Sequence, residues 1–274
     1  MVVNTPVVNT PVVRWIRFHY DDAIAIGSVL DGNVTVHSGN LFDSPQPTGQ
    51  TLSLDQVELL TPTQPSKMVG LWNNFAAAAA KNDWEHPSEP LWFIKPSSCL
   101  LRPGATIEPP SSYDGRVFFE GELGIVIGAE ATNVALDDVD RFIFGYTCVN
   151  DVTAFGLLTS DASFAQWSRA KSFNTFGPFG PVVATGVDAA TLTVRTAVDG
   201  RERQNYPVSD MIFSPAELVH HISKDMTLYP GDVIACGTST GALPMRIGNV
   251  VEVTIDGVGT LSNIYGARPG DAGN

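Results

Sequence analysis

Basic residues, cysteines and long apolar runs are all scarce in this chain, and each shortage removes a class of function. Sixteen Lys and Arg stand against 29 Asp and Glu in 274 residues, a formal net charge of -13 and a pI near 4.6. A nucleic-acid binder neutralises phosphates with a basic footprint, which is missing here. No apolar run approaches the roughly 20 residues that span a bilayer. The N-terminus has no basic segment leading into an apolar one, so no secretory leader is expected. The three cysteines, Cys99, Cys148 and Cys236, are odd in number and far apart. That argues against a disulfide framework or a thiolate zinc site and for small buried hydrophobes. A cytoplasmic protein with no nucleic-acid or membrane partner is the expectation. With 43% hydrophobic residues the chain can bury a substantial core, as one large domain or one large and one small. The surplus of carboxylates leaves acids free to hold a cation.

Strand signals dominate what is present. Residues 2–6 and 7–11 repeat Val-Val-Asn-Thr-Pro; two copies are too few for a solenoid and read as an extended arm or edge strand. Asp31-Gly32 lies between the apolar runs 23–30 and 34–36 and marks a hairpin, since both turn positions favour positive φ. The Pro- and Thr-rich segment 60–65 reads as a linker. It closes a small β-rich N-terminal domain at about 1–65 and leaves 66–274 for the larger one. There, 75–81 is an alanine-rich helix, 91–94 a short strand, 117–128 a long strand and 141–149 another. Asp199-Gly200 and Asp256-Gly257 mark two further hairpins. Ser214-Pro215-Ala216-Glu217 carries an N-cap, an N1 proline and a capping-box glutamate, so a helix runs to about Ser223. No regular βαβ alternation appears, and the fold class is α+β, β-rich, rather than a doubly wound sheet or a TIM barrel.

The sharpest chemical feature is Glu120-Gly121-Glu122. Residues two apart in a strand share a face, and two like charges on a half-buried strand repel unless a cation lies between them. A pair of surface glutamates is the competing reading. Asp151 ends the next apolar strand, either as a third acid at a cleft or as the N-cap of the succeeding segment. Three carboxylates without Cys or His suit a hard ion such as Mg²⁺, Mn²⁺ or Ca²⁺. Lys171 is placed to orient a carboxylate or stabilise developing negative charge, or else is a surface lysine. The segment 231–241 joins an apolar strand to a Gly/Thr loop, which offers N–H groups and the Thr238 hydroxyl to an anionic oxygen, or is simply a turn.

The segments FEGELGIVIG, FGYTCVNDVTA, QWSRAKSF, SPAELVHHIS, TLYPGDVIACGTSTG and VVEVTIDGVGTLSN occur in that order. Together they resemble the fumarylacetoacetate hydrolase family, from about residue 70 to 265. The resemblance implies a mixed β-roll catalytic domain, often behind a small N-terminal β domain and usually in a homodimer. It implies a divalent ion that binds the enol or keto oxygens of a small 2-oxo or 1,3-dicarbonyl acid, which is then hydrolysed at a C–C bond, decarboxylated or isomerised. By the same resemblance Glu120, Glu122 and Asp151 are the metal ligands, Lys171 is catalytic and substrate-binding, and Thr238 contacts substrate.

The departures are equally specific. Hydrolytic and decarboxylating members resemble an N-Y-x-x-H-x-x-E pattern whose His–Glu pair activates water. Here Ala78 and Lys81 stand at those two positions. Phe155 and Leu158 replace the arginine and glutamine that often follow the metal aspartate, which predicts a more apolar lid. His86, in the loop after the alanine helix, is the histidine best placed to substitute. Two functions compete: an enzyme suited to isomerisation, which needs proton shuttling but no water activation, or a metal-bearing binding protein that lacks the base.

Overall fold

Asp-Gly turns set the first two hairpins as expected. Asp31 and Gly32 take φ of 47° and 77°, and Asp199 and Gly200 take 49° and 72°. They join Ala23–Leu30 to Asn33–Ser38 and Thr193–Val198 to Arg201–Pro207. In the third hairpin the Val258 N–H turns back to the Ile255 carbonyl at 3.0 Å, so the strand expected to begin at Val258 begins at Gly259. The computed structural model describes residues 11–266. The Val-Val-Asn-Thr-Pro repeat therefore lies outside the described residues, save its last proline.

A long mixed sheet organises the chain. Its strands run, edge to edge, Gln46–Ser53, Asn33–Ser38, Ala23–Leu30, Val13–Tyr20, Gly177–Thr185, Ile143–Asn150, Gly121–Ile127, Val233–Ala235, Lys67–Trp72 and Leu91–Pro96. The N-terminal hairpins extend this sheet, because Val13–Tyr20 pairs antiparallel with Gly177–Thr185 through Trp15 and Val183. Val233–Ala235 and Lys67–Trp72 run parallel, and the other neighbours on this path run antiparallel. A second sheet of Arg201–Pro207, Thr193–Val198, Val250–Ile255, Gly259–Tyr265 and Thr106–Ile107 covers one face.

Alternation along Gly121–Ile127 explains the layering. Leu123, Ile125 and Ile127 pack with Val194, Val253, Ile255 and Leu261 of the second sheet. Val126 faces the other way, with Met68, Val149, Phe179 and Val233. Each such side chain contributes about 1.5–3 kcal/mol by leaving water. The fold is thus β-rich α+β. Helices are few: Pro215–Asp225 has the expected capping box and buries Leu218, Val219 and Ile222, while Ala76–Lys81 is a single short stretch. All three cysteines are buried and unpaired, and burial pushes the Cys148 thiol up to about 12, so its thiolate is suppressed.

Candidate metal and substrate site

The site begins with a break. The long strand expected over 117–128 is two pieces, Val117–Phe118 paired with Thr153–Ala154, and Gly121–Ile127 paired with Ile143–Asn150. Between them the Glu120 N–H donates to Asn150 Oδ1 at 3.0 Å, and the Glu120 carbonyl accepts from the Asp151 N–H at 2.8 Å. A side chain has replaced a ladder bond, and the chain jogs at the point where the two glutamates emerge. Gly121 is required there: a Cβ on it would lie 2.0 Å from Thr196 Oγ1 of the second sheet. Its backbone is fully engaged. The N–H donates to Gln204 Oε1 at 3.0 Å, and the carbonyl accepts from Tyr206 Oη and from Thr238 Oγ1.

This jog brings the three acids together. One carboxylate oxygen from each of Glu120, Glu122 and Asp151 lies within 4.8 Å of the other two. Asp151 is fully buried, with Lys95 Nζ 2.6 Å from Oδ1 and Lys171 Nζ 2.5 Å from Oδ2. Lys171 also donates to Glu120 Oε2 at 2.8 Å, and Thr153 Oγ1 donates to Glu120 Oε1 at 2.8 Å. Glu122 receives one bond, from the Gly237 N–H to Oε2 at 2.9 Å; its buried Oε1 has no hydrogen-bond partner among the described residues. Gly237 takes φ of 91°, a conformation that glycine tolerates and that aims the N–H at the acid.

The surroundings separate the acids electrostatically. Burial pushes the Glu122 carboxyl well above the ordinary range, and the charges of Asp151 and Glu120 add to the rise. Burial also raises Glu120, against the pull of Lys171. For Asp151 burial acts upward too, but Lys171 and Lys95 outweigh it and hold the carboxyl below its usual value. Burial disfavours the charged Lys171, yet Asp151, Glu120 and Glu122 more than compensate and raise it. Neither the surface-pair reading of the glutamates nor the surface reading of Lys171 describes this arrangement.

The donor set fits a hard divalent ion. It is all oxygen, the oxygens are clustered, three carboxylates face two lysines, and one buried oxygen has no hydrogen-bond partner among the described residues.

A cavity of about 270 Å³ opens beside the cluster, lined by Glu120 and Thr238 together with Trp72, Trp84, Phe118 and Phe155. The Thr238 hydroxyl donates to the Gly121 carbonyl at 3.0 Å and accepts from Gln204 Nε2 at 2.8 Å, so only acceptor capacity is left for a ligand. Ala78 and Lys81 line the same cavity. Phe155 lines it and is 47% exposed, as an apolar lid requires. Leu158 does not: it is 6% exposed and packs in the core with Val152 and Ala170, carried inward by the short helical turn Phe155–Leu157. His86 lines a separate shallow groove with Asp83 and Glu85.

Sequence reasoning missed the partners behind the acids. Lys95 is 0% exposed and also donates to the Lys171 carbonyl at 2.6 Å, tying the acid to the lysine helix Trp167–Lys171. Its signal was a lysine in phase with Phe93 in the apolar strand Leu91–Pro96. Gln204 and Tyr206 were visible as alternate residues of Arg201–Pro207, the only buried pair in that strand.

Fold and site together define a class of enzyme, a mixed β-roll that buries its charged groups under a cavity instead of displaying them. Residues 67–264 match the family described as fumarylacetoacetate (FAA) hydrolase C-terminal, residues 13–62 match Rv2993c-like, N-terminal, and the chain belongs to the fumarylacetoacetate hydrolase family. Protein Rv2993c of Mycobacterium tuberculosis is 40% identical over 225 residues, 81% of this chain and 83% of that protein. Oxaloacetate tautomerase YisK of Bacillus subtilis is 36% identical over 228 residues, 78% of this chain and 75% of the relative. The crystal structure of 2-hydroxyhepta-2,4-diene-1,7-dioate isomerase from Mycobacterium marinum superposes with a TM-score of 0.86 at 36% identity, covering 93% of this chain and 99% of that one.

Proposed function

We propose that this chain catalyses tautomerisation or double-bond isomerisation of a small 2-oxo acid, with a divalent ion, Mg²⁺ in the first instance, held by Glu120, Glu122 and Asp151. The observation that carries the reading is a buried acid–lysine cluster beside a cavity with no histidine among the described residues that line it. The names of the tautomerase and isomerase relatives agree with it. When bound, the ion supplies Lewis acidity to the oxygens of the 2-oxo acid. The rest falls to the chain. Lys171 spends two of its three N–H bonds on Glu120 and Asp151 and lies 4.9 Å from the centre of the Phe93 ring, so its contribution is a fixed positive charge behind the oxygen on which negative charge develops. The Gln204–Thr238–Gly121 chain of hydrogen bonds fixes the loop that closes the cavity. The aromatic wall offers no group that could activate a water, which favours proton transfer within the substrate over hydrolysis.

The test uses enol-oxaloacetate and dienoate substrates, with acylpyruvate hydrolysis as the contrast, all with Mg²⁺. Ketonisation or isomerisation above the metal-only rate, with acylpyruvate cleaved about 10²–10⁴-fold more slowly than by an Ala78→His, Lys81→Glu variant, is the expected result. Fast hydrolysis by the unmodified chain overturns the reading. Metal-dependent oxalate binding without any turnover favours a binding protein instead. By family resemblance the working unit is expected to be a homodimer, and sedimentation as a concentration-independent monomer would remove that expectation.

A further inference from the structure

The cavity has two charged ends. Among the described residues that line it Glu120 is the one anion and Lys81 the one cation; the others are apolar, aromatic or neutral polar. Lys81 is exposed at the last turn of Ala76–Lys81, and no carboxylate lies within ion-pair distance of it among the described residues. A second observation points to the same kind of ligand. Ser239 lines the cavity at 5% exposure, and its buried hydroxyl has no hydrogen-bond partner among the described residues. An unmade bond from a buried donor is costly, and an acceptor oxygen on a ligand removes the cost.

The acid end and the cationic end ask for different parts of one molecule. An ion at the carboxylates takes the 2-oxo acid head. The aromatic wall of Trp72, Trp84, Phe118 and Phe155 cannot satisfy a second charge, whereas Lys81 can. We propose that Lys81 is a specificity-determining residue that pairs a second carboxylate, so that the cavity selects 2-oxo dicarboxylic acids over their monocarboxylic analogues. The Ser239 hydroxyl supplies a hydrogen bond to an oxygen of the same ligand. This assignment rests on the 2-oxo acid reading and narrows it.

Calorimetry on the full chain with saturating Mg²⁺ tests it, using pairs that differ only in a terminal carboxylate: oxaloacetate with 2-oxobutanoate, 2-oxoglutarate with 2-oxopentanoate, and 2-oxoadipate with 2-oxohexanoate. At least one diacid should bind about two- to fivefold more tightly than its partner, the range of a single exposed ion pair, and the preference should shrink with added salt. Lys81→Met should bring the ratio close to one, Lys81→Arg should keep most of it, and Lys81→Glu should invert it. A wild-type ratio near one for all three pairs overturns the role of Lys81 while leaving the 2-oxo acid reading intact. So does a ratio that survives Lys81→Met. Failure of every acid to bind the unmodified protein overturns both.

Discussion

Two corners of the acid cluster carry the same chemical group and treat it in opposite ways. At one corner Asp151 lies between Lys95 and Lys171, each within 2.6 Å, and is held ionised. At the other, Glu122 has a single backbone N–H from Gly237 and one oxygen with no partner among the described residues, and burial favours its neutral form. A charge that a protein neutralises with its own lysines belongs to the fold as much as to the site. A buried charge left half-satisfied is held for something that arrives later.

The strongest way to break the comparison is Asp151→Asn. Removing the acid leaves Lys95 buried with no carboxylate and Lys171 with Glu120 alone, and the expected loss is about 3–5 kcal/mol by urea unfolding. A loss below about 1 kcal/mol would show that Lys95 and Lys171 do not depend on Asp151, and the distinction between the corners would fall. Glu122→Gln should behave oppositely. The metal-free variant should be no less stable than the parent, since it loses like-charge repulsion from Asp151 and Glu120. The parent should gain about 2.7 kcal/mol at a Mg²⁺ concentration one hundred times its Kd, and the variant none. A variant that still gains would move the ion elsewhere.

How far this contrast was legible in the sequence depends on which groups carry it. Glu120, Glu122 and Asp151 could be read because their spacing and the strand patterns put acids where apolar residues were due. The hairpins at Asp31-Gly32 and Asp199-Gly200 and the helix at Ser214 were legible for a similar reason, being written in local backbone chemistry. Lys95 was not, because its meaning depends on Asp151, 56 residues away in sequence and led in by a strand that three others separate from Leu91–Pro96 in the sheet. The strand break at Glu120 was hidden too: it arises from the side chain of Asn150 on a neighbouring strand. Leu158 was misread as part of the lid because a single helical turn decides which of Phe155 and Leu158 faces the cavity.

Both corners hang from Gly121, which gives the next test. Gly121→Ala would set a methyl 2.0 Å from Thr196 Oγ1 and also close to Val253 and Gln204. The expected cost is about 1–3 kcal/mol of overpacking, with both corners disturbed together. Adding Thr196→Ala should recover part of it, because that hydroxyl is the nearest obstacle and has no hydrogen-bond partner to lose among the described residues. If only metal affinity falls and stability is untouched, the second sheet does not brace the jog.

The smallest effect comes from using Glu217 as the control acid. It sits in the capping box of Pro215–Asp225, where the Ser214 hydroxyl and N–H both donate to Oε2 at 2.7 Å and lower its carboxyl from the ordinary value. Ser214→Ala should cost about 0.5–1 kcal/mol near neutral pH. The signs of the two glutamates then oppose each other. A lowered carboxyl lends stability above its unfolded value and loses it as pH falls through the folded one, so the Ser214→Ala deficit should fade on acidification. Glu122 is raised, so in the metal-free protein its contribution is fully present below the unfolded value and is lost as pH rises through the folded one. Carboxyl-detected NMR titration of the metal-free chain should therefore show Glu217 titrating below, and Glu122 above, a glutamate in a model peptide. Two glutamates titrating together would mean that the half-satisfied corner sees more water than its burial allows, and the reason for expecting an ion there would be gone.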